Sequence, residues 1–146
     1  MLSSFFVIIA CLSPNETIKS GEWSIGNAKT SIDSCNINKY RNLKRMIPAN
    51  FKIAKTTPNS FYAKDKLCII NNYAFTCEPL FTISPALRGA AKMRVKTIMN
   101  GRIKSSSFMK LNFGITIESC QGFGCFFINK VLDFPCLANM EAEGKI

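Results

Sequence analysis

The strongest constraint on how this chain folds is an alternation of apolar and polar side chains at 109–118. Its apolar positions are Met109, Leu111, Phe113, Ile115 and Ile117. Successive side chains of a β-strand point to opposite faces of the sheet, so a period of two predicts a strand with one buried face. The chain therefore builds at least one sheet that covers a core.

Further apolar segments predict other elements beside this strand. Asn71-Asn72 separates the apolar runs 67–70 and 73–76, and asparagine tolerates the positive φ angles of a tight hairpin turn. A second apolar run follows at 123–132, and a short helical tail fits 137–143. The runs supply the strands of a small antiparallel sheet.

A segment after Cys35 has the pattern of a short basic amphipathic helix. Ser34 can cap its first turn, and Pro48 ends it. Its apolar residues fall on one side and its basic residues lie mostly off that side. Such a helix covers a core, or lies on an anionic membrane or nucleic acid.

A second helix is predicted from Ser84-Pro85, which supplies a cap and a proline in the first turn. Asn100-Gly101 can end this helix with left-handed residues. In the alternative interpretation Asn100-Gly101 is a hairpin turn between strands 92–99 and 102–107. The helix is favoured because its apolar stripe has helical spacing, at Leu87, Ala91, Val95 and Ile98.

This order of elements predicts an α+β fold, with a small antiparallel sheet, two to three short helices and a loop-rich N-terminal third. A poorly structured chain is the alternative. The length of 146 residues fits one small basic domain at 34–146, preceded by a leader or polar loop segment at 1–33.

The N-terminal apolar run, Phe5–Leu12, has about the length of the hydrophobic region of a signal peptide. Ser20 is an acceptable cleavage position for such a leader. A buried N-terminal strand is the alternative interpretation. The run is too short to span a bilayer, which needs about 20 apolar residues, so no transmembrane segment is expected. The sequence leaves open whether the protein is intracellular or secreted.

The net charge of +10 is concentrated in the middle of the chain. Residues 34–111 contain fifteen lysines and arginines against two carboxylates, whereas 1–33 carries a net −1 and 112–146 a net −2. A concentrated positive field attracts polyanions, since each neutralised phosphate releases condensed counterions. The charge therefore predicts RNA or another polyanion as a partner.

Histidine is absent, which excludes histidine-based catalytic triads and the commonest general acid–base. The sequence contains no phosphate-binding loop and no CxxC spacing. We therefore expect no enzyme activity, no cofactor and no metal site.

The seven cysteines allow several states. Loss of Cys11 with a leader would leave six, an even number that can pair completely. Cys68 and Cys77 share a face of the predicted hairpin and are either a disulfide or free thiols. Cys120 and Cys125 either close a hairpin neck as a cystine or pack as thiols.

The segment Gln121–Ile128 resembles the RNP1 strand of the RNA recognition motif, with matches at Gly122, Phe123 and Gly124. Leu80–Ile83 lies roughly where the companion strand of that family would be. The resemblance implies that Phe81 and Phe123 stack on unpaired bases. Charge adds phosphate contacts from Lys92, Arg94, Lys96, Arg102, Lys104 and Lys110.

The sequence thus predicts non-catalytic binding of RNA or another polyanion through a basic surface. The alternative is a small secreted cationic protein that acts on membranes or a receptor, stapled by the six cysteines from Cys35 to Cys136. A further alternative is a reading frame without an evolved function. That last case predicts no cooperative unfolding transition.

Overall fold

The computed structural model describes residues 17–36, 39 and 46–146. Almost all regular structure in these ranges is extended. A short α-helix, α1, spans Cys125–Ile128. In chain order the strands are β1 Gly21–Asp33, β2 Asn50–Ala54, β3 Ser60–Ala63, β4 Lys66–Asn71, β5 Ala74–Cys77, β6 Leu80–Ala86, β7 Ala91–Ser105, β8 Phe108–Gln121 and β9 Cys136–Lys145.

The strands form one antiparallel sheet that closes on itself. Neighbouring strands follow the order β5-β4-β3-β2-β1-β9-β8-β7-β6, and β5 also pairs with β7. The closing pairs join Ala74 to Arg102 and Thr76 to Asn100. Eight strands thus make a ring, and their inward side chains form the core.

Strand β6 lies outside this ring and extends the line of β5 along the same edge of β7. Its pairing runs from Leu80 opposite Thr97 to Ala86 opposite Ala91. A tight turn at Leu87–Gly89 then leads into β7. The other edge of β6 has no partner strand among the described residues.

The core consists of the inward side chains of the ring. Strand β8 buries the five apolar residues of the alternation at 109–118, which confirms the predicted strand. Trp23 is fully buried, and its indole Nε1 donates to the carbonyl of Lys19 at 2.9 Å. Ile18 is also buried, so cleavage near Ser20 would remove a side chain of the core.

Three disulfides join six of the cysteines. Cys35–Cys136 ties the end of β1 to the start of β9 across 101 residues of sequence. Cys68–Cys77 links directly opposed residues of β4 and β5, and Cys120–Cys125 closes a loop after β8. The seventh cysteine, Cys11, lies outside the described residues.

The predicted α+β fold is wrong, because strands occupy the places of two predicted helices. The segment from Ser84 to Ile98 forms the end of β6, a tight turn and the first half of β7. The alternative hairpin turn at Asn100-Gly101 is also wrong, since both residues lie inside β7. A Cβ atom at Gly101 would overlap the Lys110 carbonyl oxygen and touch the Phe75 ring, so close packing explains this glycine.

Of the remaining predicted elements, some are confirmed by the structure and others are wrong. The hairpin at 67–76 is confirmed as β4 and β5, although Asn72 and Tyr73 are the turn residues with positive φ. The predicted tail helix at 137–143 is wrong because β9 occupies it. The described part of the N-terminal third is mostly strand and not loop, since β1 occupies Gly21–Asp33 and pairs with both β2 and β9. Most of the predicted helix after Cys35 lies outside the described residues.

Candidate polyanion-binding surface

The candidate surface follows from the alternation of strand β7. Its inward positions include Val95, Met99 and Ile103, while the residues that alternate with the inward ones point away from the core. The outward side of β7 and β8 carries a line of cations, which we call the basic face. The basic face consists of Lys92, Arg94, Lys96, Arg102 and Lys104 on β7 and Lys110 on β8.

The first cluster of the basic face surrounds an exposed aromatic ring. Phe81 on β6 pairs with Lys96 in register, and its ring is 48 % exposed. The Arg94 guanidinium carbon lies 5.2 Å from the ring centroid, and the Lys96 ammonium lies 5.9 Å from it. These distances are typical of cation–π contacts, which hold the two cations in place beside the ring.

An ion pair neutralises one of the positive charges of this first cluster. The Arg94 Nε atom lies 3.1 Å from a carboxylate oxygen of Glu118. Lys92 and Lys96 have no ion pair with a described residue. Two cations of the first cluster therefore remain available to an external anion.

The second cluster begins at Arg102, six residues beyond Lys96 on β7. At about 3.3 Å for each residue of a strand, this separation is roughly 20 Å. Arg102 is the register partner of Lys110 across β7 and β8, and Lys104 follows on the same strand. Lys110 is bound to Glu143 at 2.7 Å, whereas Arg102 and Lys104 have no ion pair with a described residue. This cluster also offers two unpaired cations.

An amide pair lies between the two clusters. The side-chain nitrogen of Asn112 donates to the side-chain oxygen of Asn100 at 3.3 Å. The side-chain oxygen of Asn112 is buried and accepts no hydrogen bond from a described residue. The pair lines an outward cleft of about 830 Å³, which also reaches Arg102, Lys110 and Glu141. The second cluster of the basic face thus borders a polar cleft that also holds the carboxylates of Glu141 and Glu143.

The structure separates Phe123 from the strands of the basic face. The segment resembling RNP1 does not form a strand, because Gln121 ends β8 and Cys125 begins α1. Phe123 lies between them in a turn and is 83 % exposed. Phe81 and Phe123 are therefore not neighbouring platforms on one sheet, and the fold of the RNA recognition motif is absent from the described residues.

Other cations of the basic middle region lie elsewhere on the molecule. Lys52 is on β2, Lys64 is in the turn between β3 and β4, and Lys66 begins β4. Arg41, Lys44 and Arg45 lie outside the described residues. The positive charge is thus divided, and the basic face holds the six cations that the sequence predicts as phosphate contacts.

A separate cavity of about 780 Å³ opens between β6 and the turn of β3 and β4. Its deep walls are apolar, with Phe51, Phe113 and Ile115 among them. Its rim carries two cations and two carboxylates, which are Lys64, Lys66, Asp65 and Glu78. Because these charges balance, the cavity does not extend the basic face.

The described residues show no group of three or more acidic or cysteine side chains placed to ligate a metal ion. None of their helices combines the length and the apolar character needed to cross a bilayer. The chain matches no protein-family model, no curated protein and no solved structure. The charges, aromatic rings and contacts of the chain itself are therefore the basis for proposing what the protein binds.

Proposed function

We propose that this protein binds a linear polyanion, without catalysis, along the outward side of β7 and β8. The observation that carries the proposal is the alignment of six cations on one face of two paired strands. Two of them are matched by carboxylates, at Glu118 and Glu143, which leaves four for an external chain of anionic groups.

The spacing of the clusters favours a chain over a small anion. The two clusters are roughly 20 Å apart along β7, a distance that several repeats of a nucleic acid or sulfated polysaccharide would span. The amide pair Asn100–Asn112 lies between them and offers polar contacts. Phe81, which contacts Arg94 and Lys96 and is 48 % exposed, offers apolar aromatic area to a base or a sugar.

The disulfides point to an oxidising compartment, because cystines persist in secreted proteins and are rare in the cytosol. All six cysteines from Cys35 to Cys136 are paired. Sulfated polysaccharides, which share the repeated anionic groups of RNA, therefore belong beside RNA as test ligands.

The experiment is a salt titration of binding to a fluorescent single-stranded RNA and to a labelled heparin fragment. Four to six contacts to phosphates predict a slope of log affinity against log salt of about −3 to −4 for RNA. Tighter binding of heparin would identify a sulfated polysaccharide as the ligand, and tighter binding of RNA would identify a nucleic acid. Absence of binding to both at about 50 mM salt would refute the proposal.

A second candidate function is that of a secreted, cysteine-stapled cationic protein acting at membranes. Its specific support is the Cys120–Cys125 disulfide, which constrains a loop whose phenylalanine rings face solvent. Intact mass of the protein from its natural source tests secretion. A chain that has lost N-terminal residues and six protons would support it, and an intact, fully reduced chain would refute it.

A further inference from the structure

We infer that the loop at 122–131, the phenylalanine loop, docks into the interfacial region of an anionic lipid bilayer. Its aromatic side chains are outside the basic face, so their insertion can be tested separately from the proposed polyanion site, while the cations at one end of that face lie beside the loop. It gives the membrane-acting candidate a surface and a partner of defined chemistry.

The loop is held firmly at its base. The Cys120–Cys125 disulfide closes its first part, and the backbone N–H of Gly124 donates to the carbonyl of Ala90 at 2.9 Å. A Cβ atom at Gly122 would approach the same carbonyl closely, so the loop packs directly on the strand beneath it. The rings it carries are consequently presented on a fixed support.

The apolar side chains of the loop point into solvent. Phe123 is 83 % exposed, Phe126 is 64 % exposed and Phe127 is 62 % exposed. Val131 in the same loop and Leu87 in the adjoining turn are also exposed. A phenylalanine buries about 150–250 Å² when it is enclosed, so these residues offer a large apolar area to a partner.

The surroundings of the loop are positively charged. Lys130 lies with its ammonium 4.3 Å from the centroid of the Phe126 ring. Gln121 pairs with Lys92, which places one end of the basic face beside the loop. Over 87–97 and 118–133 together the sequence contains five cations and two carboxylates, Glu118 and Asp133, which leaves a net charge of +3.

This combination fits an anionic bilayer better than a nucleic acid or another protein. Interfacial binding requires apolar side chains that enter the acyl boundary and cations that meet anionic headgroups. Each cation near such a surface contributes about fivefold in affinity. Edge-to-face contact between Phe126 and Phe127, with centroids 5.6 Å apart, leaves no parallel platform for successive bases.

The test measures binding of the full chain to vesicles of phosphatidylcholine alone and of equimolar phosphatidylcholine and phosphatidylserine. We expect binding to the anionic vesicles and little to the neutral ones. The combined variant Phe123→Ser, Phe126→Ser and Phe127→Ser should lose about tenfold or more, because it removes the inserted apolar area. Equal binding by parent and variant would overturn the inference.

A matched control removes exposed apolar side chains from other strands. Ile32→Thr, Ile69→Thr and Ile83→Thr change residues that are each about half exposed or more on β1, β4 and β6. Threonine keeps the β-branched shape of isoleucine, so the strands should persist. We expect this variant to bind anionic vesicles within about twofold of the parent. A loss as large as that of the loop variant would overturn the inference.

A single conservative variant gives a readout that does not depend on lost binding. Phe123→Trp introduces an indole on the loop, whereas the native Trp23 is fully buried and serves as a constant background. With anionic vesicles its emission should shift to the blue and be quenched by brominated lipids. An indole that stays in water while the protein is bound would overturn the inference.

Two further outcomes identify a different partner. If the loop variant loses RNA affinity but binds vesicles as the parent does, the rings stack on bases and the bilayer assignment is wrong. If the parent is a dimer in sedimentation that binds no vesicles and the loop variant is a monomer, a second copy covers the loop and the bilayer assignment is wrong. If the protein binds neither RNA nor heparin but still binds anionic vesicles through the loop, the polyanion proposal fails and the inference about the loop stands.

Discussion

Lys110 and Glu143 face each other across β8 and β9, with 2.7 Å between the lysine Nζ and the carboxylate Oε1. Asn27 donates to the other carboxylate oxygen at 2.7 Å, and Lys145 lies 3.4 Å from it. These partners, Lys110 foremost, lower the pKa of Glu143 from 4.5 to about 2. The carboxylate is therefore ionised at neutral pH and offsets a cation of the basic face.

Removing this carboxylate should strengthen polyanion binding. Glu143→Gln frees Lys110 and Lys145 and makes the net charge more positive by one, so affinity for heparin or RNA should rise about two- to fivefold at low salt. Fluorescence anisotropy at several salt concentrations measures the change. Glu22→Gln on β1 makes the same charge change away from the basic face and should have a smaller effect. A larger gain from the control would contradict the placement of the site.

The same ion pair predicts how stability depends on acid. The folded-state pKa lies below the ordinary value, so the unfolded chain takes up this proton first as the pH falls. The contribution of Glu143 is therefore complete above pH 4.5 and is lost as the pH falls toward 2. The parent should melt slightly higher than Glu143→Gln near neutral pH, and the difference should disappear in strong acid. A difference in melting temperature between the parent and Glu143→Gln that persists at pH 2 would contradict the predicted loss of this contribution in acid.

Substitution of Gly101 should destabilise the protein, because its backbone packs closely against the neighbouring strands. Gly101→Ala forces a Cβ atom against the Lys110 carbonyl and the Phe75 ring, so unfolding free energy should fall by about 2–3 kcal/mol. Gly26→Ala is the matched control, since no other group lies within 4 Å of its added Cβ atom. Urea denaturation measures both. Equal stability of the two variants would show that β7 does not pass this point as a strand.

The three disulfides should differ in their effect on stability. Removing Cys35–Cys136 releases a loop of 101 residues and should cost about 3–5 kcal/mol, whereas removing Cys120–Cys125 should cost about 2 kcal/mol. Thermal melts of the paired cysteine-to-alanine variants test this order. The Cys120–Cys125 variant should still weaken vesicle binding, because its phenylalanine loop loses a fixed support. The reverse order of stabilities would contradict the assigned pairing.

Local patterns were sufficient to predict β8 and the hairpin of β4 and β5. Met109 to Ile117 alternate without interruption, and the asparagines near 72 suit positive φ. Both signals are local, and no distant contact competes with them. The opposed position of Cys68 and Cys77 follows from the same hairpin.

The sequence favours a helix where the structure has strand β7, because two periodicities overlap in this segment. Leu87, Ala91, Val95 and Ile98 have helical spacing, while the basic residues from Lys92 to Lys96 alternate with Met93 and Val95 at the spacing of a strand. Pairing with β6 on one edge and β8 on the other decides between them. Such pairing is a tertiary effect that the segment alone does not contain.

The cations and Phe81 of the basic face were predictable from the sequence, whereas the exposed rings of Phe126 and Phe127 were not. The cations from Lys92 to Lys110 were recognised from composition, and the sheet places them on one side. The apolar run from Phe123 to Leu132 predicts a strand, and a strand here does not predict that Phe126 and Phe127 are exposed. The Cys120–Cys125 disulfide and the short helix α1 turn those rings outward, and spacing alone did not determine either feature.

The most direct test of the proposed surface compares two variants of equal charge. One carries Lys92→Gln, Arg94→Gln and Lys96→Gln in the first cluster of the basic face. The control carries Lys52→Gln, Lys64→Gln and Lys66→Gln, which lie on or beside β2 and β4.

The measurement is affinity for the tighter of heparin and single-stranded RNA across a salt series. The variant of the first cluster should lose about tenfold or more, and for RNA its salt slope should fall by about 2. The control should stay within about twofold of the parent, since its three charges lie outside the basic face. Equal losses in the two variants would show that net charge alone attracts the polyanion, and that β7 and β8 hold no site for it.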